Sequence, residues 1–283
     1  MPKPRLVIIG PGRMGQGLGL ALKRRGYSVS LVARTPRELL PGLTLHIGPW
    51  PDVVRDAEMV LIATPDDAIE AVARRLADDG AVSRDQVVLH LAGALDRSAL
   101  AALNDTGAGL GSFHPLQSVA DPATAGDRLR GAFAGVEGDD RALVAAERLA
   151  QTLRMTAVQI PGEAKAAYHA AAIFAGNYVA ALAGIAERIA REGGVPPEMA
   201  EKMYIPLLTG AATNIGQFGA RGSITGPIRR ADVRTIAAHL GALRAEDQAI
   251  YRALGLETVR LCRDAGMEAT PAKLVEAYLT DQP

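Results

Sequence analysis

Over the first 160 residues the apolar positions come in short unbroken runs, not in alternation with polar ones. Leu6–Ile9, Val29–Val32, Met59–Ala63 and Val87–Leu91 are such runs, the pattern of parallel strands buried on both faces. Helical stretches lie between them at Met14–Arg25, Asp67–Ala77 and Arg97–Leu103, with Gly26, Pro65 and Gly80 as punctuation. Strand, helix and strand at this spacing predict right-handed βαβ units in a doubly wound α/β sheet. Gly109–Phe113, Ala132–Val136 and Met155–Val158 read as three further strands, with a helix at Arg141–Leu153 between the last two.

Beyond Pro161-Gly162 the strand pattern stops. An Ala-rich helix is expected over Glu163–Arg191 and a second over Glu198–Phe218. A Gly-rich loop follows (Gly219–Pro227), then helices near Asp232–Leu243, Ala245–Ala265 and Pro271–Leu279. Small residues on the first of these, from Ala166 to Gly184, would let neighbouring helices approach closely. The expectation is a nucleotide-type domain at 1–160 and an all-α domain at 161–283.

Composition narrows the function classes. The chain of 283 residues carries 31 Lys plus Arg and 31 Asp plus Glu. It therefore has no net field to hold a nucleic-acid backbone or an anionic membrane surface. Its one cysteine, Cys262, excludes an intrachain disulfide framework and a Cys-based metal cluster, and suits a reducing, cytoplasmic setting. No leader pattern is apparent at the start, and no uncharged apolar stretch of membrane-spanning length is expected. Only five of the 31 cations are lysines. Arg is the default cation, so a Lys at a special place calls for a reason.

The clearest chemical signal is Gly10-Pro11-Gly12-Arg13-Met14-Gly15, a G-x-G-x-x-G run between the first strand and the first helix. Gly10 permits the tight turn, Gly12 admits a pyrophosphate to the backbone, and Gly15 lets helix and strand pack. The helix N-terminus, with Arg13 and Met14, offers N–H donors to phosphate. NAD-preferring sites place an acid after the second strand to hold the ribose 2′-hydroxyl. Here Arg34, Thr35 and Arg37 stand instead, a set that can pair with a 2′-phosphate, so NADP is the expected cofactor. Plain surface arginines are the alternative. Thr64-Pro65, after the fourth strand, is expected along the cofactor's ribose, or merely caps a helix.

Three segments carry groups able to do chemistry. His114-Pro115 follows a strand, so its imidazole could enter the crevice as a proton donor or carboxylate ligand, with Gln117 and Ser118 beside it; a turn-capping histidine is the alternative. Lys165 sits at the start of the Ala-rich helix, where a cation opposes the helix dipole. His169 shares its face at i+4, and Asn177 lies on the flank. A desolvated lysine there could act as general acid while His169 and Asn177 orient a substrate. Finally Thr225, Arg230 and Asp232 form a Gly-rich loop before a helix, a possible carboxylate clamp in which Asp232 could be only an N-cap.

Taken in order, Gly10–Gly15, His114-Pro115-Leu116-Gln117-Ser118, Lys165-x-x-Tyr168-His169 with Asn177-Tyr178, and Thr225-Gly226-Pro227-Ile228 resemble a bacterial family of NADP oxidoreductases. These join a Rossmann-like domain to a helical C-terminal domain of unknown function, within the 6-phosphogluconate-dehydrogenase-like superfamily. The resemblance implies a Rossmann-type sheet followed by an all-α domain that dimerises, an active site in the interdomain cleft, and Lys165 in the place of the catalytic lysine of β-hydroxyacid dehydrogenases and ketopantoate reductases. Those relatives carry Asn where this chain has His169. The His-Pro pair is similar to that of prephenate dehydrogenases. The implied activity is NADPH-dependent reduction of a small, ketopantoate-like 2-oxo acid. A cyclic-imine reductase of the pyrroline-5-carboxylate type and a non-catalytic NADP sensor are the alternatives. No metal and no nucleic-acid partner is expected.

Overall fold

The structure is a computed structural model and describes residues 5–48 and 52–280. By contacts the chain forms two compact units, Met1–Gly176 and Asn177–Pro283.

The first unit is built on an eight-stranded sheet. In chain order its elements are β1 (Arg5–Ile9), α1 (Arg13–Lys23), β2 (Ser28–Ala33), β3 (Leu45–Ile47), α2 (Asp52–Arg55), β4 (Met59–Ile62), α3 (Ile69–Asp78), β5 (Val87–His90), β6 (Gly109–Pro115), α4 (Ala125–Leu129), β7 (Phe133–Gly138), α5 (Asp140–Leu153), β8 (Thr156–Gln159) and α6 (Lys165–Ala175). The strand order is β3-β2-β1-β4-β5-β6-β7-β8. All neighbours pair parallel except β6 and β7, so β7 and β8 run against the other six. The apolar runs are strands because both faces of the sheet are covered. Leu6, Ile8, Leu31, Leu61 and Leu89 pack on one side with α1 and α5. Val7, Ile9, Val60, Ile62 and Val88 pack on the other with α3. The carboxyl ends of β1, β2, β4, β5 and β6 share one edge, with the reversal of strand order between β1 and β4, where open α/β sheets bind ligands.

Several expectations are corrected. The strand β3 was not foreseen; three residues are too few for a periodic signal. Arg97–Thr106 is a 3-10 segment and not an α-helix. The expected long helix is interrupted at Gly176, whose backbone leaves helical geometry (φ −121, ψ −73), so that α6 and α7 are separate. Because α6 packs with the sheet, the contact boundary falls at 176/177, past the 160/161 division expected from texture.

The second unit is all helical: α7 (Asn177–Glu192), α8 (Pro197–Met203), α9 (Ile205–Gly222), α10 (Val233–Ala242), α11 (Ala245–Asp264) and α12 (Ala269–Thr280). What was expected as one helix over 198–218 is α8 and α9, and α9 kinks at Gly219 (φ 71, ψ 168). A small core of Ile236, Leu240, Val259, Ala272, Val275 and Leu279 joins α10, α11 and α12. Asp247 is buried against Arg188 through two hydrogen bonds of 2.8 and 2.5 Å. By contrast α9 has no buried residue, and Leu207 is 70% exposed and Phe218 64%. One helical segment, Gly162–Glu192, is long and apolar enough to cross a membrane by length and composition. The expectation that no such stretch exists is thereby corrected: residues 166–186 contain no Asp, Glu, Lys or Arg, and only His169 and Asn177 with two tyrosines dilute the run.

Candidate active site

Two arrangements occupy the carboxyl edge of the sheet. The first is a groove of about 710 Å³ lined by Gly10, Gly12, Arg34, Thr35, Arg37, Thr64, Pro65 and Arg75, among others. Gly10 holds φ +107, and a Cβ there would meet the Ala63 carbonyl at 2.7 Å; a Cβ on Gly15 would meet the Gly10 carbonyl at 2.1 Å. These two glycines are therefore packing requirements of the turn. Gly12 differs, since nothing lies within 4 Å of where its Cβ would be. Its role is to leave a free approach to the start of α1, which has no side-chain cap. N–H groups there are available to an anion. Thr64 adds a buried hydroxyl without a partner among the described residues, a group that a ligand hydroxyl would satisfy. The donor set fits a dinucleotide. Arg13 is exposed at the start of α1, whereas Met14 packs against the core and does not line the groove. Arg75, from α3, joins Arg34 and Arg37 along the groove. It escaped the sequence reading because its helical position carries no local signal.

The second arrangement gathers β5, β6 and α6. Lys165 has no exposed surface. Its ammonium donates to Ser112 Oγ at 2.9 Å and to the Ala92 carbonyl at 3.4 Å. Burial holds its pKa below the ordinary lysine value, while the carboxylates of Glu137, Asp96 and Asp66 oppose that shift. The ammonium is enclosed between the Ser112 hydroxyl of β6 and the Ala92 carbonyl just beyond β5. Tyr168, one turn along α6, hydrogen-bonds His114 Nδ1 at 2.9 Å, the rings meeting edge to face. His169 stacks edge-on to His114, with centroids 5.3 Å apart.

Gly93, in the loop after β5, makes this gathering possible. A Cβ there would lie 2.1 Å from His169 Nδ1 and 2.9 Å from His114 Nε2. Gly135 does the same for Tyr168, whose hydroxyl would lie 2.6 Å from a Cβ on that strand. Burial, reinforced by His169, Lys165 and His90, lowers the His114 pKa to about 4. His90 is also lowered to about 4, mainly by burial; its Nε2 meets the Asp96 carbonyl at 2.9 Å. Tyr168, Gly93, Gly135, Ser112 and His90 were not foreseen. Only the i, i+3 spacing of Lys165 and Tyr168 offered a hint.

The Gln117 amide is used locally, donating to the Arg128 carbonyl and accepting from Ser118 N–H. Asn177 opens α7 in the second unit. Thr225 and Arg230 are exposed in that unit. Asp232 caps α10, accepting from the Thr235 N–H and hydroxyl. No cluster of three or more metal-ligating side chains occurs among the described residues.

The fold and groove define a class, an α/β protein with a Rossmann-like first domain and a helical second one. Residues 1–115 match the family model of a Rossmann-like domain. More particularly, residues 132–258 match a domain of unknown function, DUF2520, so the chain has the domain pair that the sequence resemblance implies. A candidate NADP oxidoreductase from Bacteroides fragilis superposes with a TM-score of 0.71 at 19% identity, over 93% of this chain and 99% of that one. Protein TM1727 from Thermotoga maritima does so with a TM-score of 0.63 at 25% identity, over 97% and 98%. Pyrroline carboxylate reductase from Plasmodium falciparum, solved with NADP bound, gives 0.61 at 10% identity over 99% and 100%. These likenesses establish the fold. No curated protein matches the sequence.

Proposed function

We propose that the protein is an NADPH-dependent reductase of a small 2-oxo acid, ketopantoate-like in size and charge. The observation that carries this reading is the convergence, at one sheet edge, of a glycine-lined groove and a cluster of Lys165, His114, Tyr168 and His169 folded around Gly93. Arg34, Arg37 and Arg75 give the groove the charge a 2′-phosphate needs. The bound nicotinamide supplies hydride chemistry; the side chains bind, orient and move protons. Reduction places hydride on the carbonyl carbon and a proton on its oxygen, yielding a 2-hydroxy acid and the oxidised cofactor. His114 meets the oxygen. Lys165, held by Ser112 and the Ala92 carbonyl and facing the Tyr168 ring, acts on that oxygen through its charge and not by direct contact. The proton leaves His114 Nε2 and is replaced at Nδ1 from the Tyr168 hydroxyl.

A second reading, reduction of a cyclic imine, is favoured by the enclosure of Lys165, since hydride addition to a protonated C=N needs no acid. The structural likeness to pyrroline carboxylate reductase is compatible with it. Turnover assays on 2-oxo acids and cyclic imines, with Lys165→Met alongside, separate the two: a 2-oxo acid reductase loses turnover in the variant and an imine reductase keeps most of it. We further propose that a second copy of the chain covers the apolar faces of α7 and α9, where Val179, Leu182, Leu207 and Phe218 are exposed.

A further inference from the structure

His114 has two ring nitrogens, and the structure treats them differently. Nδ1 is 2.9 Å from the Tyr168 hydroxyl. Nε2 has no partner among the described residues, yet it is not sealed as the Nδ1 atoms of His90 and His169 are. A neutral imidazole carries its proton on one nitrogen only, and the partner of the other decides which. We infer that Tyr168 is a positioning residue that donates its hydroxyl proton to His114 Nδ1, fixing His114 as a neutral Nε2–H donor aimed at the substrate's carbonyl oxygen.

Three observations set the direction of that hydrogen bond. First, His114 Nδ1 is the hydrogen-bond partner of the Tyr168 hydroxyl, at 2.9 Å; a hydroxyl that accepted there would leave its own proton unpaired in a half-buried place, whereas one that donates is satisfied. Second, the Lys165 ammonium stands 5.9 Å from the centre of the Tyr168 ring; a cation over the face draws density from the ring and strengthens the O–H as a donor. Third, burial raises the Tyr168 pKa above that of an ordinary tyrosine, so the hydroxyl stays protonated at neutral pH. The groups facing His114 are His169 and Tyr168 from α6, with the Lys165 ammonium and the His90 imidazole behind them. All that are ionisable to a cation disfavour a second proton on its ring. A neutral N–H at this place polarises a carbonyl without paying desolvation for a buried imidazolium, and it stays neutral at pH values well above 4.

The inference rests on the reductase reading for what the N–H meets, but the tautomer itself is readable without substrate. The test is nitrogen-15 NMR of ring-labelled full-length protein, with His114→Gln used to assign the signal among five histidines. The expected result is a pyridine-type Nδ1 and a pyrrole-type Nε2 for His114, unchanged between mildly acidic and mildly alkaline pH. Tyr168→Phe should convert this to a tautomer mixture. Gly135→Ala, which pushes the hydroxyl aside without deleting it, should do the same, and so guards against misfolding of the first variant. In whichever substrate is turned over, both should lower kcat about 10- to 100-fold with KM little changed. A pyrrole-type Nδ1 in the wild-type protein overturns the inference, as does an unaltered tautomer in both variants. If the tautomer behaves as expected and no carbonyl or imine substrate reacts, the reductase reading fails while the Tyr168–His114 arrangement stands.

Discussion

Gly12 offers a clean separation of cofactor binding from folding. Its backbone is ordinary extended geometry (φ −72, ψ −176), and nothing lies within 4 Å of an added Cβ. In Gly12→Ala two small effects on stability oppose each other. Reduced freedom of the unfolded chain stabilises by about 0.4–1 kcal/mol, and loss of glycine at an N-cap costs a similar amount. The net change should be within about 1 kcal/mol. The methyl group projects into the groove, however, and holds the pyrophosphate away from the first N–H groups of α1. Losing one hydrogen bond to a charged group costs about 1.5–3 kcal/mol, which corresponds to roughly a 10- to 100-fold rise in the Kd for NADPH. Gly15→Ala is the contrast: with the Gly10 carbonyl 2.1 Å from its Cβ, it should lose about 1–3 kcal/mol or more of stability through overpacking. Urea unfolding and calorimetric titration with NADPH, run on both variants, read the two effects separately. Unchanged NADPH affinity in Gly12→Ala, with the fold intact, would refute the placement of the cofactor.

Other outcomes follow from the same geometry. Replacing Arg34 and Arg37 together with Ala should weaken NADPH binding at least tenfold and leave NADH binding nearly unchanged, measured by titration of each; equal losses for both would remove the 2′-phosphate from the account. The low pKa values of His90 and His114 set a pH dependence of stability. Below about 6.5 the unfolded chain takes up protons that the native protein refuses until about pH 4. Stability should therefore be full above pH 6.5 and fall as pH drops towards 4, by up to about 3 kcal/mol for each buried imidazole. Urea midpoints across this range should slope less steeply in His114→Gln, and an equal slope would contradict the burial of His114 as a neutral imidazole. Gly93→Ala should retain NADPH binding yet lose most turnover, because His169 and His114 must both move; normal kcat would mean that neither imidazole matters. Leu207→Lys with Phe218→Lys should convert a dimer to a monomer in analytical ultracentrifugation, and an unchanged mass would place the partner surface elsewhere.

Much of the first unit was legible because its strands are buried on both faces and so appear as unbroken apolar runs. The turn at Gly10–Gly15 was legible for a different reason: its three glycines sit at a fixed spacing between strand and helix, whatever contacts each one makes. What lay beyond reach depends on contacts distant in sequence. Gly93 and Gly135 look like unremarkable loop and strand glycines until α6 is laid across β5, β6 and β7. Lys165 and His169 could be placed on one helix face from their spacing, but the direction of the lysine head could not, since Ser112 and Ala92 lie more than 50 residues away. The break of the expected long helix at Gly176, between Lys165 and Asn177, was equally hidden, since a lone glycine in an Ala-rich run gives little warning of it.

The most direct test of the central claim is to mix purified protein with NADPH and a panel of small 2-oxo acids and cyclic imines, following the reduced-nicotinamide absorbance, with wild type and Lys165→Met in parallel. The account predicts turnover of one 2-oxo acid that collapses in the variant while NADPH remains bound. Tight NADPH binding with no turnover anywhere in the panel would contradict it.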